Sequence, residues 1–166
     1  LLIFGGQSVI SPEQEAWLIR EFGLSVGGLE AGGWWQFLTY AFLHGNLLHL
    51  ALNMVSLFFA GRLVEEEIGG GRFLLLYVLG ALGGGVGQML LAPTPEATLV
   101  GASGSVFAVL LAFATIFRDQ EILALFFFIL PVHFRAKYLG WVLVGFSALA
   151  IAVRFEPWIG HAAHLG

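Results

Sequence analysis

The chain has 166 residues, of which 7 are lysine or arginine, 11 are aspartate or glutamate and none is cysteine. Hydrophobic residues make up 58% and charged residues 11%, with a mean hydropathy of +0.89, whereas a soluble domain has about 25% charged residues. These values argue against a soluble domain and against a disordered chain. The net charge of −4 argues against a nucleic-acid partner. The lack of cysteine excludes disulfides and thiolate chemistry. A helical membrane protein with several spans remains.

The first 43 residues combine a short apolar beginning with a mixed, interrupted segment. Residues 1–5 are typical of the last turn of a membrane helix, and we expect the chain to be the middle part of a longer protein. Residues 5–43 mix charged and apolar residues, contain Pro12 and several glycines, and are predicted to form an interfacial loop with short helices. Tryptophan prefers the headgroup level of a membrane, which suits Trp17, Trp34 and Trp35.

Four apolar stretches follow, each long enough, or nearly so, to cross a hydrocarbon core of about 30 Å at about 1.5 Å per residue. We predict transmembrane helices over residues 47–61, 73–92, 101–117 and 138–153, and the start of a last helix over 158–166. The apolar run over 122–130 ends at Pro131 and is too short to span, so we assign it to the interface or to packing against the bundle. The predicted fold class is all-α: one polytopic transmembrane helical bundle over residues 1–166, with a six-span core whose first and last spans are truncated here.

Positive charges between the spans predict the orientation of the bundle. Cytoplasmic loops of membrane proteins carry an excess of lysine and arginine. Two loops on one side of the bundle hold five such residues, Arg62, Arg72, Arg118, Arg135 and Lys137, and the loops on the other side hold only Arg20 and Arg154. We therefore expect residues 5–43, 93–100 and 154–158 to face the non-cytoplasmic side.

A few polar residues within the apolar segments indicate a buried site, because such groups are costly at membrane depth. His49 and Asn53 are four residues apart and share one helical face. From the helix rise, His49 lies about 20 Å above Arg62 and Ser103 about 22 Å above Arg118, so both are about 8–10 Å below the outer face. His164 reaches about the same depth from the outside. A serine, two histidines and an asparagine on three helices form the set of groups that a hydrolase needs.

Several motifs contain these residues in order along the chain. They are Trp34-Trp35-Gln36, the stretch from His44 to Asn53 with the pattern His-Gly-Asn-Leu-Leu-His-Leu-Ala-Leu-Asn, Gly101-Ala102-Ser103-Gly104, and Ala163-His164-Leu165-Gly166, with the acidic Glu65 after Gly61-Arg62. In these motifs the chain resembles the rhomboid family of intramembrane serine proteases, and the resemblance covers essentially the whole chain. Each motif alone is weak, but four in this order and at matching depth are specific.

The resemblance implies that Ser103 is the nucleophile and His164 its general base, in a Ser–His dyad without a visible third member. It implies that the oxyanion is stabilised by the side chains of His49 and Asn53 and by the backbone N–H of Ser103. Supporting roles fall to His44, which we expect to stabilise the loop through hydrogen bonds, and to Gly101, Ala102, Phe107 and His161. By the same resemblance the substrates are single-span membrane proteins with a helix-destabilising segment, and no cofactor and no metal is implied.

The chain departs from the family pattern at two positions. Phe107 lies one helical turn from Ser103, where family members often have a tyrosine that stacks on the histidine; an aromatic ring is kept and its hydroxyl is lost. Gln36 stands where the family commonly has arginine after tryptophan. Glutamine keeps hydrogen bonding and loses the charge, a change that concerns the anchoring of the loop more than catalysis.

Other interpretations fit some of the same residues. Ser103 alone fits a helix N-cap or a small packing residue, and His161 with His164 fits a zinc pair that has too few further ligands. Gly80 and Gly84 form a small-residue pattern that predicts tight packing, in particular against the helix bearing Ser103. The alternative functions are a catalytically inactive rhomboid-like protein that binds transmembrane clients and, last, a channel or transporter. The expected location is the bacterial inner membrane, where the chain is an integral protein in contact with membrane lipid. Its oligomeric state stays open.

Overall fold

The computed structural model describes residues 11–91, 97–126 and 130–152 of the chain. Two of its helices, Leu47–Ile68 and Gly70–Leu90, are long and apolar enough to cross a membrane, and Ser103–Ile116 is a shorter apolar helix. The elements in chain order are α1 (Pro12–Phe22), α2 (Val26–Glu30), α3 (Gln36–Thr39) with a 3-10 turn (Tyr40–Phe42), α4 (Leu47–Ser56), a π-helical segment (Leu57–Gly61), α5 (Arg62–Ile68), α6 (Gly70–Leu91), α7 (Ser103–Ile116), β1 (Glu121–Phe126), β2 (Leu130–Arg135) and α8 (Lys137–Ala152). The all-α membrane bundle predicted from the sequence is thus the architecture found, with one small hairpin added.

The segment before the first long helix contains short helices held by local capping. Helix α1 begins with Pro12 after Ser11, whose side chain accepts a hydrogen bond from the Gln14 amide while the Gln14 side chain accepts one from the Ser11 amide. This reciprocal capping satisfies two backbone donors that the first turn of a helix leaves free. The sequence prediction of short helices within residues 5–43 agrees with α1, α2 and α3 for the residues that the structure describes.

Three side chains from the region of α3 bond to the last carbonyls of α1. The Gln36 amide donates to the carbonyls of Arg20 (3.0 Å) and Glu21 (3.3 Å), and the Trp35 indole N–H donates to Glu21 (2.9 Å). The Thr39 hydroxyl adds a bond to the carbonyl of Phe22 at 2.8 Å. Because the last carbonyls of a helix have no partner within it, these bonds attach α1 to α3, and Gln36, only 2% exposed, anchors the loop without a charge.

One continuous helix runs from Leu47 to Ile68 through the π-helical segment. Asn46 caps its start, since the Asn46 side chain accepts from the His49 amide at 2.8 Å. The helix continues past residue 61, where the hydropathy pattern ends the predicted span. In the π segment Ala60 and Gly61 are buried, so the wider turn presents small residues to the interior of the bundle.

Helices α6 and α7 cross closely at Gly80 and Gly104. A β-carbon at Gly80 would stand 2.7 Å from Cβ of Ala108 and 2.9 Å from Cα of Ser105, and one at Gly104 would stand 3.1 Å from the Gly80 carbonyl oxygen and 3.3 Å from Cα of Gly84. Small residues permit such backbone approach between membrane helices. The prediction that Gly80 and Gly84 pack against the helix bearing Ser103 is therefore confirmed.

The main apolar core lies between α5, α7 and the start of α8. Val64, Val109 and Phe113 are buried there together with the small residues Ala60 and Ala136. A second cluster joins Leu24, Tyr40 and Leu99. The second cluster packs the loop that carries α1 to α3 against the segment that enters α7, which is where the candidate nucleophile lies.

Residues 121–126 (β1) and 130–135 (β2) pair as an antiparallel hairpin that the sequence analysis did not predict. The strands pair from Glu121 with Arg135 to Phe126 with Leu130, and Pro131 pairs with Leu125. A two-stranded sheet leaves one side of each strand open, so Pro131, which has no N–H to donate, is tolerated there. The described part of the short apolar run, residues 122–126 and 130, therefore takes an extended conformation, and Ile122 packs against the main apolar core.

Candidate active site

Ser103 is the first residue of α7, and the backbone before it is bent by a glycine. Gly101 has a φ of +118°, a conformation that only glycine adopts without strain. The Gly101 amide donates to the Tyr40 carbonyl at 2.9 Å, which fixes the entry to the helix. Gly101 and Ala102 are buried and Ser103 is partly buried, so the serine lies below the surface of the protein at the start of an apolar helix.

The His49 side chain lies against this bend. A β-carbon built at Gly101 would stand 2.5 Å from Cε1 and 2.9 Å from Nε2 of His49. The imidazole therefore occupies the space that any other residue at position 101 would need. This contact brings His49 of α4 next to the segment that leads into Ser103, and a pocket shared by the two side chains stays a prediction.

Asn53 lies one turn further along α4 and is only 5% exposed. Its Nδ2 has no hydrogen-bond partner in the part of the chain that the structure describes. Leaving a buried amide donor unpaired costs about 1–3 kcal/mol, and such groups occur where a ligand or a transient charge takes the bond. Within the described part of the chain, Asn53 thus presents an unpaired donor on the same helical face as His49.

His44 is 4% exposed and packs its ring edge-to-face against His49, with the ring centroids 5.3 Å apart and the planes at 70°. Neither Nδ1 nor Nε2 of His44 has a hydrogen-bond partner among the described residues. Among the described residues the ring contact with His49 is the interaction seen for the His44 side chain, and the hydrogen bonds expected for it stay a prediction. Burial, and then the neighbouring His49, lower the pKa of His44 to about 4, so this imidazole is neutral at pH 7.

Of the other residues of the predicted site, Phe107 lies on α7, and two histidines lie outside the described part of the chain. Phe107 is buried one turn beyond Ser103. Ser105, the neighbouring serine, is fully buried, and its hydroxyl donates to the Tyr77 carbonyl at 2.8 Å. His161 and His164 lie outside the described residues, as does any zinc pair that they would form, so their predicted roles stay predictions.

Tyr40 is a residue of this region that the sequence analysis missed. Its hydroxyl donates to the Ala81 carbonyl of α6 at 2.7 Å, while its own carbonyl accepts from Gly101. Burial raises the pKa of Tyr40 above its ordinary value, so the phenol stays protonated and able to donate. The available signal was its position between two motifs, four residues before His44.

A backbone bridge completes the connection between the loop and α7. Leu24 and Leu99 exchange two hydrogen bonds, of 3.0 Å from the Leu24 amide and 2.8 Å from the Leu99 amide. Together with the bond from Gly101 to Tyr40, this bridge gives the segment before Ser103 two attachments to the loop that carries α1 to α3. The position of the serine therefore depends on residues about 60 to 80 positions earlier in the chain.

Comparison with known proteins identifies relatives of the chain. Residues 31–166 match the Rhomboid domain. Rhomboid protease GluP of Bacillus subtilis is 40% identical over 90 residues, which are 54% of this chain and 17% of the relative. The putative rhomboid protease YdcA of the same organism is 33% identical over 97 residues (57% of this chain and 48% of the relative), and RHOMBOID-like protein 12, mitochondrial, of Arabidopsis thaliana is 30% identical over 168 aligned positions (92% and 48%). The matches span less than half the length of each of these relatives.

Proposed function

Because this chain belongs to the Rhomboid family of membrane proteins, we propose that it is a serine endopeptidase that cleaves peptide bonds of transmembrane proteins within or near the membrane. Two of the relatives described above carry the name of rhomboid protease, GluP and, as a putative one, YdcA. The proposal extends that activity to this chain and assigns it to a Ser–His dyad.

The observation that carries the proposal is the contact between the His49 side chain and the backbone that leads into α7. His49 contacts Gly101, two residues before Ser103, and Asn53 on the same face of α4 has a buried amide donor without a partner in the described residues. The N–H groups of the first turn of a helix have no acceptor within the helix, which leaves the Ser103 amide for the same purpose. Preorganised donors of this kind are what an oxyanion needs.

In the proposed mechanism Ser103 Oγ attacks the scissile carbonyl carbon while His164 takes the hydroxyl proton. The carbonyl oxygen becomes an oxyanion that accepts hydrogen bonds from His49, from Asn53 and from the Ser103 amide. His164 then gives the proton to the leaving amine, and an acyl-enzyme on Ser103 remains. A water activated by His164 attacks this ester, and the serine is regenerated. His44, Gly101, Ala102, Phe107 and His161 are proposed to shape the site around these groups.

The proposed setting is a membrane with the site open to the non-cytoplasmic side, as the positive charges between the spans predict. Ser103 and His49 lie near the starts of α7 and α4, and Arg62 and Arg118 lie toward or beyond the other ends of these helices. A bacterial inner membrane is the proposed location. Transmembrane proteins are the proposed substrates, and the water for hydrolysis must enter from the side at which α7 begins.

A serine-directed fluorophosphonate probe tests the nucleophile directly. The purified protein in liposomes is treated with the probe, and the modified residue is mapped by mass spectrometry. We expect labelling at Ser103 that is lost in Ser103→Ala and in His164→Ala. Ser105→Ala is the matched control, because Ser105 is two residues away and its hydroxyl is already bonded to the Tyr77 carbonyl. This variant should be labelled like the wild type.

Cleavage of a single-span membrane protein in the same liposomes tests the reaction itself. The wild type should release fragments, and Ser103→Ala should release none. A folded wild type that is neither labelled nor active would overturn the protease proposal, and retention of the single-span protein by that inactive chain would point to the client-binding alternative.

A further inference from the structure

A groove of about 380 Å³ lies between α7 and α8, at the end of α7 opposite to Ser103. It is lined at positions 111, 114 and 115 of α7, at position 118 just beyond the end of α7, and at positions 137, 140, 141 and 144 of α8. Each set has the spacing of a single helical face. The cationic members, Arg118 and Lys137, follow the end of α7 and begin α8, whereas Leu111 and Val144 lie about two turns into the helices. The groove is therefore cationic at one end and apolar along its length.

Backbone hydrogen bonds hold the two cations at the same end of the groove. The Lys137 amide donates to the Arg118 carbonyl at 3.0 Å, and the Ala136 amide donates to the Gln120 carbonyl at 2.9 Å. These bonds close the base of the β1–β2 hairpin and bring the end of α7 to the beginning of α8. The proximity of Arg118 and Lys137 is thus a property of the backbone, and it does not depend on flexible side chains meeting by chance.

The acidic groups nearby do not neutralise this end of the groove. The Asp119 carboxylate lies 3.8 Å from Arg118 Nε, 3.6 Å from Lys137 Nζ and 4.0 Å from Arg135 Nη1. Glu121 is the register partner of Arg135 in the hairpin, so the charged residues around this end comprise three cations and two carboxylates, and one positive charge is in excess. Exposed ion pairs at such distances are weak, and Arg118 and Lys137 can therefore exchange Asp119 for a stronger anion.

The apolar part of the groove carries aromatic residues of the two types that are enriched at the headgroup level of a membrane. Trp141 lines the groove and is 78% exposed, and the exposed Tyr138 lies below Lys137 Nζ, which is 5.4 Å from its ring centroid. Tryptophan and tyrosine prefer the headgroup level, where one end of the ring is apolar and the other is wet. The boundary between headgroups and acyl chains would thus pass between the cations and Leu111.

We propose that this groove binds one anionic phospholipid. The headgroup phosphate accepts hydrogen bonds from Arg118 and Lys137, and an acyl chain lies along Leu111 and Val144 beside Trp141. The charge excess selects an anionic headgroup over a zwitterionic one, and the apolar length selects a lipid over a free phosphate. A basic pocket between the ends of two membrane helices is a recognised form of headgroup site.

Native mass spectrometry of the purified protein, titrated with phosphatidylglycerol or phosphatidylcholine of equal chain length, measures this binding. We expect the wild type to prefer phosphatidylglycerol, and Arg118→Gln/Lys137→Gln to bind it about tenfold or more weakly, since each cation near a surface contributes to the attraction of anionic lipid. Arg62→Gln/Arg72→Gln is the matched control, because both arginines are exposed and lie outside the groove. This control should keep the wild-type preference.

A second variant tests the acyl chain. Thr115 is exposed and lines the groove, and its hydroxyl donates within its own helix to the Leu111 carbonyl. Thr115→Phe fills the groove without a change of charge, and we expect weaker binding of phosphatidylglycerol with long chains. Two observations show that each variant is folded. It still binds phosphatidylcholine at other surfaces, and its circular dichroism spectrum is unchanged.

Three outcomes would overturn the proposal. The first is equal binding of the two lipids by the wild type, and the second is unchanged phosphatidylglycerol binding by Arg118→Gln/Lys137→Gln. The third is displacement of the lipid by millimolar glycerol phosphate, which would assign the cations to a free phosphate ester. None of these measurements uses proteolysis, so they do not depend on the proposed function.

Discussion

The imidazole of His49 occupies the place where a side chain at residue 101 would be: a β-carbon on Gly101 would stand 2.5 Å from Cε1 of that ring. The contact joins α4 to the backbone that enters α7, and Gly101 meets it with a φ of +118°. Two requirements, a left-handed backbone and an absent side chain, therefore fall on one residue. The spacing between His49 and Ser103 depends on that residue.

Gly101→Ala should lower the proteolytic kcat/KM by about tenfold or more, because a displacement of about 1 Å at a reacting centre costs roughly 100-fold. Alanine would strain the backbone and push against the His49 ring. The measurement is the cleavage rate of a single-span substrate in liposomes, with the rate of fluorophosphonate labelling as a second readout. Gly45→Ala is the control, since a β-carbon there meets nothing within 4 Å. Full activity of Gly101→Ala would refute the assigned contact.

Asn53→Leu should lower the activity of the protein without lowering its stability. We expect kcat to fall by about 100- to 1,000-fold, as for removal of an oxyanion donor. The free energy of unfolding should stay the same or rise, because the substitution removes an amide that is buried without a partner among the described residues. Unfolding is followed in mixed detergent and dodecyl sulfate micelles, beside the cleavage assay.

The other asparagine of the same helix provides the matched comparison for Asn53. Asn46 caps α4 through the His49 amide, so Asn46→Ala should lower the free energy of unfolding by about 1 kcal/mol. Opposite signs for the two asparagines would support a functional role for Asn53. A loss of stability in Asn53→Leu, with kcat retained, would instead indicate a structural asparagine.

Gly80→Ala and Gly71→Ala should have opposite effects on stability, although both glycines lie on α6. A methyl group at Gly80 would meet Ala108 and Ser105 at less than 3 Å, and one at Gly71 meets nothing within 4 Å. We expect Gly80→Ala to cost about 1–3 kcal/mol through overpacking, and Gly71→Ala to be neutral or stabilising by up to about 1 kcal/mol. Equal unfolding midpoints in mixed micelles would contradict the close crossing of α6 and α7.

The stability of the protein should depend on pH through His44. Its pKa is lowered to about 4 in the folded protein from the ordinary value of 6.5, so between these values the unfolded state binds more protons. Stability therefore rises with pH in this window and is lost as pH falls from about 6.5 to 4, by at most about 1.4 kcal/mol per pH unit. Unfolding midpoints measured from pH 4 to 7 check the slope.

His44→Phe isolates this contribution, because phenylalanine keeps an aromatic ring beside His49 and does not titrate. We expect the variant to show a smaller loss of stability on acidification than the wild type. His133→Gln is the control for the removal of a histidine outside the buried site, since His133 is exposed on β2. An identical slope in His44→Phe would mean that other groups cause the acid sensitivity.

Local patterns in the sequence were sufficient for the fold class and for the family. Apolar length predicts helices wherever about 20 residues must cross a hydrocarbon core, and the match of residues 31–166 to the Rhomboid domain confirms the resemblance found in the motifs. Helical spacing was sufficient to place His49 and Asn53 on one face. The close packing of Gly80 and Gly84 against α7 also followed from spacing, because small residues on one face of a membrane helix let a neighbouring helix approach closely.

Contacts between distant segments were decided by the tertiary structure alone. The Tyr40 hydroxyl donates to a carbonyl 41 residues away. Gln36 stands where a charged residue was expected and makes three hydrogen bonds, two to α1 carbonyls and one from the Ser25 amide. The hairpin brings Arg118 to Lys137. No periodicity in the sequence encodes these pairs, since each depends on the direction in which separate elements leave the bundle. Hydropathy and spacing act over a few turns and determine which segments are helices and which residues share a face, whereas packing determines which faces meet.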